Sequence, residues 1–467
     1  MAAAALNRTV AVLGASYGGA RAAQLLAGAL PDGWRVVVID RNSHLNHLYV
    51  LPRYAVVPGH EHKAFIPYTN IFQSPNGKEN PGHIFLHAQV TGLSPRSVTL
   101  SRAFPEHGIQ GPTPTLQFDY LLYSLGSHLP APINLWGPVD DIYGSVVSQN
   151  ASRDRQVSEP SSSYNTSLGI PPSAPVAPLT QGTKVEGIQW IKRYHERIES
   201  ASSVLVVGGG ALGIQYATDV ADAYPTKRVT LLHSRAQLLP RFDEGMHKEI
   251  LARLSALNVD TILGERLDLS SLTNGQAVRG ENDSIERVVR TQNGRQIRAE
   301  LIVLCTGQIP NTNLFGKMLP DAIVPDGPSK GMIRVQRTMQ VALASKEHVP
   351  GGVSPQLSVP YPHLFAIGDA ADAFGAIKSG RSAHSQCEVA VRNIVKLIAR
   401  SEGREGDSAL ESYAPDPPAI KVSLGLDRGV YQMHGKIVTV AEAQVDMEAH
   451  RMWQMYGAET DEEGMHL

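Results

Sequence analysis

An α/β fold with parallel central sheets follows from three observations in this 467-residue sequence. Short β-branched runs recur at 9–13, 35–39, 118–123, 203–207, 228–232, 301–305 and 364–367, and helical patterns follow several of them at 19–30, 212–223 and 381–400. This alternation of strand, turn, helix and strand is the signature of parallel units. Two glycine-rich turns lie between such a strand and such a helix, and the apolar run near 365 ends in Gly-Asp. At about 150 residues per domain, the length predicts two or three domains.

Composition narrows the class. Apolar residues make up 42% of the chain and charged residues 18%, which suits a large globular protein and excludes a disordered one. Lys and Arg number 42 against 44 Asp and Glu, so the basic excess expected of a nucleic-acid binder is missing. Two cysteines, Cys305 and Cys387, make neither a disulfide framework nor a four-ligand zinc site. No apolar stretch reaches the roughly 18 residues of a membrane span. The N-terminal alanine run is too short for a secretory signal, and Ala2 stands where a myristoyl anchor needs glycine. The expected location is cytoplasmic, with peripheral membrane or mitochondrial association and the oligomeric state left open.

One stretch breaks the alternation. From about 140 to 181 the chain is dense in Ser, Pro, Asn and Thr and has no periodicity, the composition of a mobile insertion. Smaller irregular pieces occur at 102–115 and 345–360, and 189–200 reads as an amphipathic helix leading into the second glycine turn.

The first turn runs Gly14, Ala15, Ser16, Tyr17, Gly18, Gly19. A dinucleotide pyrophosphate needs backbone N–H groups at a helix N-terminus with no side chain in the way. Gly14 serves the tight turn and Gly19 the close packing of helix on sheet, while Ser16 replaces the middle glycine. Asp40, with Arg41 beside it, lies 26 residues beyond Gly14 at a strand end, where an acid binds ribose hydroxyls. The second turn is a complete G-x-G-x-x-G at Gly208, Gly210 and Gly213. Its second strand ends in His233, Ser234 and Arg235 rather than an acid. A carboxylate there favours NADH, whereas serine with arginine accommodates a 2′-phosphate, so the expectation leans to NADPH over NADH. The alternative is a solvated Arg235 and an enzyme indifferent to the phosphate.

Two such units imply two dinucleotides, FAD first and NAD(P)H second. Gly368 and Asp369 end a buried strand of the type that places its Asp on the ribityl chain of FAD. The stretch around Gly307 is the usual crossing back to the flavin unit. The expected fold class is therefore an α/β two-dinucleotide-binding (tandem Rossmann-like) FAD/NAD(P) flavoprotein with a small C-terminal domain. The flavin unit is expected at 1–135 and 303–400, the insertion at 136–182, the NAD(P)H unit at 183–302 and a C-terminal segment at 411–467.

With these residues in place, the sequence resembles the pyridine-nucleotide FAD oxidoreductases. Within them it is similar to the apoptosis-inducing-factor-like branch, which includes the ferroptosis-suppressor NAD(P)H:quinone oxidoreductases. The stretches that carry the likeness are 229–235, 365–372 and 424–430. The resemblance implies that Gly14 to Gly19, Asp40, Arg53 and Val90 contact the adenosine and pyrophosphate end of FAD. It implies Asp369 at the ribityl end, Lys378 near the flavin ring and a C-terminal segment closed over the flavin. Two departures stand out. Gln215 replaces a family glutamate that helps place the nicotinamide, and Ser124, Leu125 and Gly126 replace Ala-Thr-Gly at the return of the sheet.

The expected chemistry is hydride transfer from NAD(P)H to flavin, then direct reoxidation by a quinone-like or other conjugated small acceptor. No Cys-x-x-Cys or Cys-x4-Cys follows the first helix, which excludes a disulfide relay, and both cysteines read as packing residues. Lys378 and Gln215 are the candidate catalytic residues. Lys378 either offsets charge on the reduced flavin or is a solvated helix-start lysine. Gln215 either orients the nicotinamide or faces an interface. His44, His47, His60 and His62 match no metal spacing, so no metal is expected. Trp453 and Tyr456 read first as packing and second as a flavin cap. Two further functions remain open: a redox step on a specialised metabolite, and a cofactor-bound cell-death factor with little turnover.

Overall fold

Valine-rich strands buried on both faces form two parallel sheets, the arrangement expected where helices cover both sides. In a computed structural model, residues 8–73, 82–130, 133–135, 182–274, 276–280, 284–344, 357–404, 406, 408–441 and 444–466 are described. The insertion expected at 136–182, apart from Gly182, lies outside the described residues, as do 345–356 of the later irregular stretch.

The first unit contains β1 (Arg8–Leu13), β2 (Trp34–Asp40), β3 (Ile84–His87) and β4 (Tyr120–Tyr123). The second contains β5 (Ser203–Val207), β6 (Arg228–His233), β7 (Asp260–Leu263) and β8 (Leu301–Leu304). The chain then returns to the first unit through β9 (Leu364–Ala366). The strand orders are β9-β4-β1-β2-β3 and β7-β6-β5-β8, with every pairing parallel. In each sheet the order reverses beside the opening strand, at β1/β4 and at β5/β8, and ligands of such sheets bind outside the strand ends at that reversal. All of β8 pairs with β5, so the second sheet runs to Leu304, two residues past the unit bound of 302, and the crossing back begins in the stretch before Gly307.

Helices α1 (Gly18–Ala29), α2 (Lys184–Ser200), α3 (Ala211–Ala223), α4 (Glu244–Ala256) and α5 (Gly380–Ser401) cover the sheets. A three-stranded antiparallel sheet follows, β10 (Ile420–Ser423), β11 (Arg428–Met433) and β12 (Lys436–Ala441). The chain closes with two short helices, α6 (His450–Met455) and α7 (Glu462–His466).

One core joins the first sheet to α1 and α5 through Val12, Leu26, Val37, Cys387 and Ile394. A second joins Val204, Val206 and Ile214 to Trp190 of α2 and to Val422 and Val430 of the C-terminal sheet. The segment expected to close over the flavin is therefore divided. Its sheet packs on α3 of the second unit, and only the part carrying Trp453, Tyr456 and Met465 rejoins the first core.

Candidate functional site

The two glycine turns are built alike. Gly14 has φ +89°, and a Cβ there would lie 2.5 Å from the Ser124 carbonyl oxygen, just past β4. Gly208 has φ +125°, and its Cβ would lie 2.2 Å from the Cys305 carbonyl oxygen, just past β8. A Cβ on Gly19 or Gly213 would lie 1.7 or 1.8 Å from the carbonyl oxygen of Gly14 or Gly208, so each helix packs on its turn only through glycine. The space beside Gly210, by contrast, is open.

The helices that follow share another property. α2, α4 and α5 are capped by the side chains of Thr183, Asp243 and Ser379. α1 and α3 have no side-chain cap and no acid in the first turn. Their N–H groups are left for an anion, which the helix dipole also favours. Open backbone at Gly210 under the uncapped α3 fits a dinucleotide pyrophosphate at the second turn, and the uncapped α1 fits one at the first.

The second strands end differently. Asp40 is buried and its carboxylate accepts from Ala15 N at 2.6 Å and from Asn42 N at 2.7 Å. Burial pushes its pKa up, and the two backbone donors pull it down. His233 holds the matching place: its Nδ1 accepts from Gly209 N at 3.0 Å, and its Nε2 lies 3.2 Å from the Gln237 carbonyl. The tautomer is set accordingly, with the proton on Nε2, and burial lowers the imidazole pKa. Arg41 is exposed beside Asp40, and Arg235 is exposed beyond His233. Tyr17, at φ +37°, is held by Leu48 N donating to its hydroxyl at 3.2 Å and by His47 Nδ1 at the same distance.

A cavity of about 1040 Å³ runs from the second turn to the flavin unit, lined by Gly208, Gly210, His233, Arg235, Gly307 and Lys378. Ser234 lies on the same wall. Lys378 is pushed down in pKa by partial burial and pulled up by Asp369. The Asp369 carboxyl is pushed up by burial, and its Oδ2 accepts from Ser127 Oγ at 2.8 Å. Gly368, at φ +71°, turns the strand end toward this pair, and its N–H donates to Gln386 Oε1 at 2.7 Å. Gly126, at φ +60°, lies in the return that brings Asn311 N to the Gly126 carbonyl at 2.9 Å. Sequence reasoning missed Arg241 and Arg266 on the cavity wall. Arg266 is brought there by the parallel pairing of β7 with β6, and no local motif announces it. Glu265 lines the same wall with its carboxylate tied to Thr291 Oγ1 and Arg295 Nε.

Two expected site residues are engaged elsewhere. Arg53 is fully buried, and its guanidinium is spent on Asp219 at 2.9 and 3.0 Å and on the carbonyls of Gly425 and Val445. It pins the flavin unit to α3. Gln215 is buried on α3, with Nε2 donating to Ser423 Oγ at 3.2 Å, and is not among the cavity-lining residues. Its amide joins α3 to the C-terminal sheet, so it is unavailable to orient a nicotinamide. Val90 is buried in the small antiparallel sheet after β3, opposite Leu100. Trp453 is buried with Nε1 donating to the Lys63 carbonyl at 2.9 Å, and the Tyr456 hydroxyl reaches the Tyr17 carbonyl at 3.4 Å. Both pack in the first core. Burial pushes both cysteine thiols far above their ordinary pKa, and the two belong to different cores.

Residues 8–392 match the family described as pyridine nucleotide-disulphide oxidoreductase. Over 462 residues the chain is 40% identical to Fe-regulated protein 8 of Mycosarcoma maydis, covering 98% of this chain and 96% of that protein. It is 25% identical over 463 residues to ferroptosis suppressor protein 1 of Taeniopygia guttata, covering 96% and 95%. Among solved structures, the NADH-bound water-forming NADH oxidase of Lactobacillus brevis superposes with a TM-score of 0.54 at 18% identity, over 91% of this chain and 74% of that one. Among the described residues, no helix is long and apolar enough to cross a membrane.

Proposed function

The chain belongs to the pyridine nucleotide-disulphide oxidoreductase family and is an FAD-dependent NAD(P)H oxidoreductase; from that premise we propose that it takes its electrons from NADPH and delivers them directly to a quinone-like small acceptor. The observation that carries this reading is a cavity running from the second glycine turn to Lys378, in a chain whose two thiols lie apart, Cys387 buried in the first core and Cys305 half-buried on the cavity wall.

FAD, when bound, accepts a hydride from the nicotinamide and passes electrons on to the acceptor. The protein supplies the geometry. The N–H groups that open α3 take the nicotinamide-nucleotide pyrophosphate, and those of α1 take that of FAD. Ser234, Arg235 and Arg266 surround the place of a 2′-phosphate and offer it a hydroxyl and two guanidiniums. His233 braces the turn there without adding a negative charge. Asp40 and Asp369 are assigned to the ribose and ribityl hydroxyls of FAD. The Lys378 ammonium faces the cavity end where negative charge develops on reduction, and offsets it there. Val90 flanks the adenosine end. With no thiol pair to store electrons, the acceptor must approach the flavin itself.

Rapid mixing of the holoenzyme with NADPH or NADH, followed by a quinone, tests this. Bleaching faster with NADPH and recovery on adding quinone is the expected result. Bleaching without recovery would move the acceptor to another metabolite class, and a flavin that neither nucleotide reduces would end the enzymatic reading.

A further inference from the structure

The histidines between His44 and His62 have no metal spacing among themselves, but the fold brings two more ligand types to His62 from the far end of the chain. α7 packs on the single helical turn Glu61–Ala64 and carries Glu462 and His466 four residues apart, hence on one face. His62 Nε2 lies 3.0 Å from Glu462 Oε1, and His466 Nε2 lies 3.8 Å from the same oxygen. The two imidazoles are stacked, with centroids 3.8 Å apart and planes 12° from parallel. One ligand atom from each of the three residues lies within 4.8 Å of the others.

We propose that His62, Glu462 and His466 bind a divalent transition ion of the Zn2+ or Fe2+ class, which fastens the C-terminal helix to the flavin unit. The two separations from Glu462 Oε1 are compatible with ligands of one ion. With bonds of about 2.0–2.1 Å, the donors around a tetrahedral ion stand roughly 3.3 Å apart. The distances of 3.0 and 3.8 Å bracket that edge, and rotation of the exposed His466 ring out of its stack on His62 would turn both nitrogens toward a shared ion.

The surroundings support the same reading. Lys63 Nζ lies 3.2 Å from the other carboxylate oxygen of Glu462 and 3.1 Å from Asp446 Oδ2. It orients Oε1 toward the imidazoles, as an outer partner does for a ligating carboxylate. Two carboxylates against one ammonium leave a negative balance that attracts a cation. The helix is also seated without the ion. The Lys184 ammonium donates to the Met465 carbonyl at 2.6 Å and sits 5.0 Å over the Trp453 ring. Two imidazoles with one carboxylate suit Zn2+ or Fe2+ and not the all-oxygen preference of Ca2+ or Mg2+.

The test uses the FAD-loaded full-length protein, stripped with a chelator and titrated with Zn2+ by calorimetry and with Co2+ by visible absorption. The expected result is one ion per chain and a thermal midpoint that rises with Zn2+. Affinity should fall at least about tenfold in His466→Ala and in Glu462→Gln, whose side chains are exposed and whose loss leaves the core intact. Anaerobic Fe2+ that displaces Co2+ from the same site supports the proposal equally. The proposal is overturned if no ion binds at one per chain, or if one binds with affinity unchanged in both variants.

Discussion

The two dinucleotide turns of this protein use one brace with two different charges. In the flavin unit, the N–H after the first glycine is held by the Asp40 carboxylate. In the nicotinamide unit, the corresponding N–H of Gly209 is held by the His233 imidazole. The backbone needs only an acceptor at the end of the second strand, and either group provides one. The charge is free to follow the ligand. An anion at Asp40 suits ribose hydroxyls and repels an added phosphate. A neutral imidazole, with Ser234, Arg235 and Arg266 on the same wall, suits a nucleotide that carries one. On the proposed reading, cofactor choice resides in the brace and its neighbours, while the turn is set by sterics.

The largest test concerns the pin between the two units. Arg53→Met removes the guanidinium from the buried Asp219 carboxylate, and a loss of about 3–5 kcal/mol in unfolding free energy is expected by denaturant titration. A loss below about 1 kcal/mol would mean that the units are held by their cores alone. Next comes acid. Burial lowers the His47 pKa from 6.5 to about 4, so between these values the unfolded chain binds the extra proton. Stability is full above pH 6.5 and declines as pH falls toward 4, by about 3 kcal/mol in all. His47→Phe should flatten that part of a pH–stability profile. The nicotinamide turn carries its own buried histidine: burial lowers the His233 pKa, and protonation of Nδ1 would remove the acceptor for Gly209 N, so acid is expected to loosen both turns.

Smaller effects test the turns themselves. Because the space at Gly210 is open, Gly210→Ala should cost under about 1 kcal/mol in stability. The same methyl faces the pyrophosphate, so nucleotide affinity should fall about tenfold, read from the concentration dependence of flavin bleaching. Unchanged affinity would place the phosphates elsewhere. Smallest and most selective is Arg235→Ala. Loss of one charge-assisted hydrogen bond predicts a KM for NADPH raised about tenfold with NADH little affected. Equal losses for the two nucleotides would remove the distinction drawn between the braces.

What the sequence revealed and what it hid divide by distance along the chain. The turns, the strands that flank them and the Gly368–Asp369 strand end are each written in consecutive residues, and periodicity with glycine spacing makes them legible. The resemblance puts Arg53 at the pyrophosphate, and nothing near it in sequence announces its partner Asp219, 166 residues away. Gln215 faces Ser423, 208 residues on, across a sheet whose docking on α3 no local pattern specifies. Arg266 enters the cavity wall only through the pairing of β7 with β6. The cluster of His62 with Glu462 and His466 was invisible for the same reason, since spacing rules search a neighbourhood and this cluster joins opposite ends of the chain.

The order of the strands also has a consequence for biosynthesis. The four strands of the nicotinamide sheet all lie between Ser203 and Leu304, whereas the flavin sheet opens at Arg8 and gains its last strand only at Leu364–Ala366. Tyr456, which reaches the carbonyl of Tyr17, is made later still. On a ribosome that releases the chain from its N-terminus, the second sheet is complete while the first still presents an unpaired edge on β4. The half of the protein that begins first is finished last, and one edge of its sheet stays unpaired in the interval.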